Sequence, residues 1–398
     1  MDKTLFVPPM PVSPTSRLGT SVSGYRPELD AIRFIAFFLV YLHHILPRTA
    51  KPSDASVTAG LISHGGRQIL ISITNACGAG LCLFFCLSAY LITELLLRER
   101  ENSGGISVRR FYVRRVLRIW PLYFLGILIG ITLAWTKHLS EGASPFVWYL
   151  FFAGNFYCAA FGFPQLNPMT PLWSISIEEQ FYLVWPWAMH LLSRRGLAVC
   201  ALCFIVSSNI TLFALGQHHA STETTVWCNT LVQFEMFGTG ILLALLKKPV
   251  VQGRAKTGLL LALSGPVMWF AACYVCKAKQ LAAEGLAVNG LSLMIGYLLF
   301  SVGCAAVLWG ICLIGPNHIP KWLANLGKIS YGLYVYHVLA VDLAIAGLNR
   351  LHLPSSKIFA APLALLLTII MAKISYAWLE TPFLRLKRRF EVIHSRPI

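Results

Sequence analysis

The chain has 398 residues, 56% of them hydrophobic and only 12% charged, about half the charged fraction of an ordinary globular protein. Mean hydropathy is +0.65, yet the net charge is +17, from 33 Lys and Arg against 16 Asp and Glu. This combination excludes an ordinary water-soluble enzyme, a disordered chain and a typical nucleic-acid-binding domain, and it leaves an all-α polytopic membrane protein whose basic residues lie outside the lipid.

Residues 1–24 hold Pro, Ser and scattered charge without the apolar core of a secretory signal. They read as a flexible cytoplasmic tail. A helix needs about 20 mainly apolar residues to cross the hydrocarbon core. Ten segments meet that need: 31–47, 68–97, 119–136, 172–192, 196–216, 226–246, 257–276, 288–314, 328–349 and 358–380. A further apolar stretch, 146–161, is short and crowded with aromatics such as Trp148, Tyr149, Phe151 and Phe156. The positive-inside rule decides its course. If it does not cross and the N-terminus is cytoplasmic, the cytoplasmic side collects 24 Lys and Arg against 8 outside. If it crosses, the division becomes 15 against 17 and the bias is lost. The expectation is therefore ten transmembrane helices with both termini in the cytoplasm. Residues 25–390 form one membrane domain, 391–398 a second cytoplasmic tail, and 146–161 an interfacial or re-entrant element on the outer side.

The 11 cysteines lie mostly in apolar stretches. The pairs Cys200/Cys203 and Cys273/Cys276 have metal-like spacing, but they lack the polar neighbours that zinc or redox chemistry uses. Buried free thiols and no metal site are expected.

Ionisable groups at membrane depth cost a few kcal/mol each on insertion scales, so each is a functional candidate. In the first span, the eleven steps from Arg33 to His44 close to within about 20° of three full turns, putting both on one helix face, roughly 16 Å apart. His43 points about 100° away from that face. Between the second and third spans runs Arg109-Arg110-Phe111-Tyr112-Val113-Arg114-Arg115-Val116-Leu117-Arg118. A basic cytoplasmic loop is what topology alone demands. This one, however, uses Arg and no Lys, and Arg115 and Arg118 at i, i+3 can address one phosphate-bearing ligand. The fourth span opens with Glu178 and Glu179 beside Ser, Gln and Tyr, with Tyr182 one turn beyond Glu178. The acids also suit a helix N-terminus. The ninth span brings Tyr334 and His337 three residues apart, as possible supporting polar groups. Asp342 and Lys373, on the last two spans, offer a structural ion pair.

These motifs, in this order, resemble the acyltransferase-3 family of integral membrane proteins. The resemblance runs over about residues 26–390. It is carried by Leu29-Asp30-Ala31-Ile32-Arg33 with His44 eleven residues past the Arg, by the Arg115–Pro121 run, by Trp173-Ser174-Ile175-Ser176-Ile177-Glu178-Glu179-Gln180-Phe181-Tyr182-Leu183, by Ser330–His337, and by Glu380–Arg389. The resemblance implies transfer of an acyl group, acetyl being the common choice, from cytoplasmic acyl-CoA to a hydroxyl of a glycan, a lipid-linked sugar or a small molecule. It implies a multi-pass enzyme of the inner or plasma membrane with no permanently bound cofactor. It maps the catalytic histidine to His44 and the donor-binding arginines to Arg33, Arg115 and Arg118. Glu178 is then a candidate for fixing the histidine tautomer or holding the acceptor. Some members carry a periplasmic hydrolase-like domain after the membrane domain, and 398 residues are expected to leave no room for one. The alternative is a secondary transporter or flippase with a path lined by the buried ions. Such folds are built from internal repeats, and none is recognisable between the halves of this chain.

Overall fold

The computed structural model describes residues 25–46, 64–164, 167–217, 222–246, 254–279 and 289–391. The tail expected at 1–24, and that at 391–398 apart from Glu391, lie outside these. The described residues are helical, with no strand. In chain order the helices are α1 (Pro27–Ile45), α2 (His64–Cys77), α3 (Ala79–Ser103), α4 (Val108–Thr136), α5 (Ser144–Leu150), α6 (Gly154–Phe161), α7 (Trp173–Leu191) and α8 (Arg194–Gln217). They continue with α9 (Glu223–Trp227), α10 (Thr230–Leu245), α11 (Ala255–Tyr274), α12 (Gly290–Ile314), α13 (Lys321–Lys328), α14 (Ser330–Arg350), α15 (Lys357–Ser375) and α16 (Thr381–Lys387).

Each of the ten expected segments holds a helix. Among the described residues, however, only seven helical segments are long and apolar enough to cross a membrane: 65–103, 108–136, 194–217, 255–274, 290–314, 330–350 and 357–390. That makes the chain a multi-pass membrane protein. The other three fall short for visible reasons. α1 carries Glu28, Asp30 and Arg33 in its first two turns, α7 carries Glu178, Glu179 and Gln180, and α10 has 16 residues. A helix that gives its polar side chains to the protein interior does not need an apolar surface all round.

The stretch 146–161 forms no crossing helix. It breaks into α5 and α6, of 7 and 8 residues. The corner between them is Phe152, a non-glycine at φ 53°. Its ring stacks on Tyr123 of α4 at 4.7 Å, and its carbonyl accepts from Gln180 Nε2 of α7 at 2.9 Å. These contacts offset the cost of left-handed backbone.

Local chemistry sets the helix starts. Pro27 sits in the first turn of α1 with Glu28 and Asp30, where a missing N–H costs nothing and acids suit the helix dipole. Ser107, Asn229, Asn289 and Ser356 cap α4, α10, α12 and α15 through their side chains. In the 65–103 segment 72% of the apolar window is buried, against 22% in α8, so α3 is central while α8 turns most of its surface outward. Leu259, Leu260, Leu263 and Val267 of α11 are likewise exposed, as a lipid-facing surface requires. α10 crosses α3 where Gly240 meets Cys86 O, and a Cβ there would overlap that oxygen. α1 seats on α3 in the same way, through Gly80 against Ala36 O. These close approaches fix α1, α3 and α10 around the interior.

Candidate active site

Two cavities open along the inner face of α1. The first, of about 190 Å³, is lined near the start of that helix by Arg26, Arg33, Arg98, Arg115 and Arg118, with Asp30, Glu94 and Glu178 as its acids. The second, of about 440 Å³, lies at the other end of α1. Its lining includes His43, His44, Lys279, Trp173, Trp227, Glu223 and Asp342.

In the arginine cavity several cations are already matched. Arg33 pairs with Asp30, Arg26 with Glu28 at 2.7 Å and Glu94 at 3.2 Å, and Arg98 with Glu94 at 2.6 Å. Arg115 is held by rings: its guanidinium lies 5.3 Å from the Phe111 centroid and 5.2 Å from that of Tyr182. The arginine run divides by helix face. Arg114 turns away from the cavity to bond buried Glu99 at 2.8 Å and Phe390 O at 3.0 Å, whereas Arg115 and Arg118 both face the cavity. Glu178 lies here too, accepting from Ser88 Oγ at 2.9 Å and from the Tyr182 hydroxyl at 2.8 Å. Its neighbour Glu179 accepts from Trp120 Nε1 at 3.2 Å.

The expectation that Glu178 fixes the His44 tautomer is not met, because α7 delivers Glu178 to the arginine cavity and not to the histidine end. His337 of α14 stands beside His44. His44 Nδ1 lies 2.8 Å from Val40 O and 3.4 Å from His337 Nε2, the two rings packing edge-to-face at 4.9 Å. His337 Nδ1 lies 2.6 Å from Tyr334 O. A carbonyl accepts only, so both Nδ1 atoms carry hydrogen, and His337 Nε2 keeps a lone pair toward His44. His44 Nε2 is then the basic nitrogen. A proton gained there leaves an imidazolium whose Nδ1–H still faces two acceptors.

His43 is committed elsewhere. Its Nδ1 donates to Thr74 O at 2.8 Å, and its Nε2 lies 3.4 Å from Lys279 Nζ. That ammonium also lies 3.6 Å from the Trp227 centroid. Lys279 is 4% exposed, and nothing in its local sequence marked it apart from an outer-loop lysine. Arg26 and Arg98 were missed for the same reason, since only tertiary packing turns them inward. Asp342 faces the histidine cavity near Lys137 and Lys357, so the ion pair expected with Lys373 is not formed. Tyr334 has its hydroxyl 2.6 Å from Ser174 Oγ and 3.1 Å from Pro171 O.

The chain is similar in sequence to curated proteins, two of which carry descriptive names. The chain is 26% identical over 332 residues to "Putative peptidoglycan O-acetyltransferase YrhL" of Bacillus subtilis, covering 76% of this chain and 50% of the relative. It is 24% identical over 390 residues to "Peptidoglycan O-acetyltransferase OatA" of Listeria monocytogenes, covering 90% of this chain and 56% of the relative. The chain thus spans about half the length of these relatives. No solved structure matches it. The profile of the acyltransferase-3 family, described as an acyltransferase domain, matches residues 26–376. With the arginines gathered at one end of α1 and a histidine pair at the other, the chain belongs to the acyltransferase-3 family of acyltransferases.

Proposed function

We propose that this protein is a membrane O-acyltransferase that binds acyl-CoA through the arginine cavity and esterifies a carbohydrate hydroxyl in the histidine cavity. The observation that carries the reading is the His44–His337 pair, which leaves His44 Nε2 as the base at the far end of the helix that bears Arg33. Arg115 and Arg118 meet the phosphates of coenzyme A, for which the guanidinium fork is suited. The thin pantetheine arm carries the thioester inward. His44 Nε2 takes the proton of the acceptor hydroxyl as its oxygen attacks the thioester carbonyl. The C–S bond breaks as the C–O bond forms, and the proton passes to the departing thiolate. General-base action of this kind contributes about 10² to 10⁴ in rate.

Acetyl is the transferred group in this reading, and a peptidoglycan-type glycan the leading acceptor, by analogy with the names of the two relatives. Trp173 and Trp227 line the histidine cavity beside its charged groups, a mixture that suits a sugar ring and its hydroxyls. The distribution of Lys and Arg favours ten crossings in the inner or plasma membrane, both termini cytoplasmic, the arginine cavity toward the cytoplasm and the histidine cavity toward the outer side. His44→Ala, assayed in membranes with radiolabelled acetyl-CoA, is expected to lose transfer by about 10² to 10⁴. Transfer at the wild-type rate would overturn the reading. Mass spectrometry of surface glycans from cells with and without the gene identifies the acceptor.

A further inference from the structure

The two cavities share just two lining residues among those described, Leu81 of α3 and Tyr334 of α14. Arg115 and Arg118 lie on one side of this pair and His44 on the other. On the acyl-CoA reading, a thioester anchored by its phosphates in the first cavity passes to the base by way of these two shared side chains, which wall the gap it enters.

Both walls of that gap are held in place. Leu81 is 6% exposed and follows Gly80, whose missing Cβ lets α3 rest on the α1 backbone at Ala36 O. Tyr334 is 7% exposed. Its hydroxyl is fixed at Ser174 and Pro171 O, and its ring packs edge-to-face on Phe84 at 5.8 Å. Packed interiors keep such spacings because every displacement meets a neighbour.

We propose that Leu81 and Tyr334 select the acyl group by its cross-section, admitting unbranched acyl chains and rejecting those branched next to the carbonyl. This rests on the acyl-CoA reading above and adds to it a pair of specificity-determining residues that touch the acyl group, not the phosphates or the base. A straight chain is one methylene wide whatever its length. A branch beside the carbonyl adds a methyl to the leading end of the donor, which must pass the gap before the carbonyl reaches His44 Nε2. The chemistry of the step is the same for either donor: the C–S bond breaks, the C–O ester bond forms, and the proton moves from hydroxyl to thiolate.

The experiment compares acetyl-, butyryl- and isobutyryl-CoA as donors for wild type, Leu81→Ala and Leu81→Val in membranes. Butyryl and isobutyryl have the same atoms and differ in width. Leu81→Ala is expected to raise isobutyryl transfer relative to acetyl by about tenfold, the scale of one added group in an apolar pocket, with a smaller gain for butyryl. Leu81→Val, a milder change that keeps the packing if the alanine variant does not fold, moves the same ratio in the same direction by less. Equal gains for butyryl and isobutyryl would show that volume and not width is read, and would overturn the proposal. So would unchanged donor preference in variants that still transfer acetyl. Wild-type membranes that transfer no acetyl from acetyl-CoA would overturn the underlying reading, and the selection proposal with it.

Discussion

Arg114 and Arg115 are adjacent in sequence and have opposite assignments. Arg114 is 7% exposed and bonded to Glu99, itself 2% exposed. Removing one partner of such a pair strands the other charge, so Arg114→Ala is expected to cost about 3–5 kcal/mol, read as a lowered thermal midpoint in detergent. Arg115→Lys keeps the charge and loses the fork and the ring contacts. It should leave the midpoint near wild type while raising the apparent KM for acyl-CoA about tenfold or more, on the scale of a charge-assisted hydrogen bond. An unchanged KM would make Arg115 topogenic only. His337→Ala tests the histidine pair. As a positioning residue it should lower kcat and spare the KM for the donor, whereas a purely structural role would lower the thermal midpoint as well. The spacing of Arg115, Arg118, Arg33 and His44 was legible in the sequence because helical periodicity is local. The partner of His44 was not. Glu178 and His337 are both polar residues on distant helices, and only the packing of α7 and α14 decides which one arrives.

At the scale of elements, hydropathy located the long apolar helices of the described residues, because a lipid-crossing segment must satisfy its backbone internally and present apolar side chains. It could not tell which helices touch. That information resides in small residues such as Gly240, whose significance depends on the carbonyl of Cys86 opposite it. Gly240→Val should therefore destabilise by about 1–3 kcal/mol or more through overpacking. Gly347 of α14, with no atom near a Cβ added there, gives the control. Gly347→Ala should be neutral or slightly stabilising, by up to about 1 kcal/mol. Comparing the two thermal midpoints in one detergent checks both expectations. The aromatic stretch 146–161 was legible only through charge, since its length and composition alone admit a crossing. Its division into α5 and α6 at Phe152 depends on Tyr123 and Gln180 from other helices.

For the molecule as a whole, the basic excess and the cavity chemistry point the same way. In the proposed topology the loop between the second and third crossings is cytoplasmic, and its flanks supply Arg98, Arg115 and Arg118 to the arginine cavity, so residues that orient the chain and residues assigned to the donor share one surface. Reporter fusions after Arg254 and after Lys137 should report cytoplasmic and outer locations respectively. The same location for both would refute the ten-crossing topology. α1 also has a consequence of its own. Because one rigid helix carries Arg33 and His44, in the proposed reading it acts as a ruler for the donor: it holds the arginine end of the path and the base roughly 16 Å apart, the rise of eleven helical residues. A single alanine inserted between Arg33 and His44 would swing the imidazole by about 100° and lengthen the span by about 1.5 Å. Donor binding should survive that insertion and transfer should not. A truncated thioester without phosphates, in contrast, would pass unmeasured and react no differently in an Arg115 or Arg118 variant.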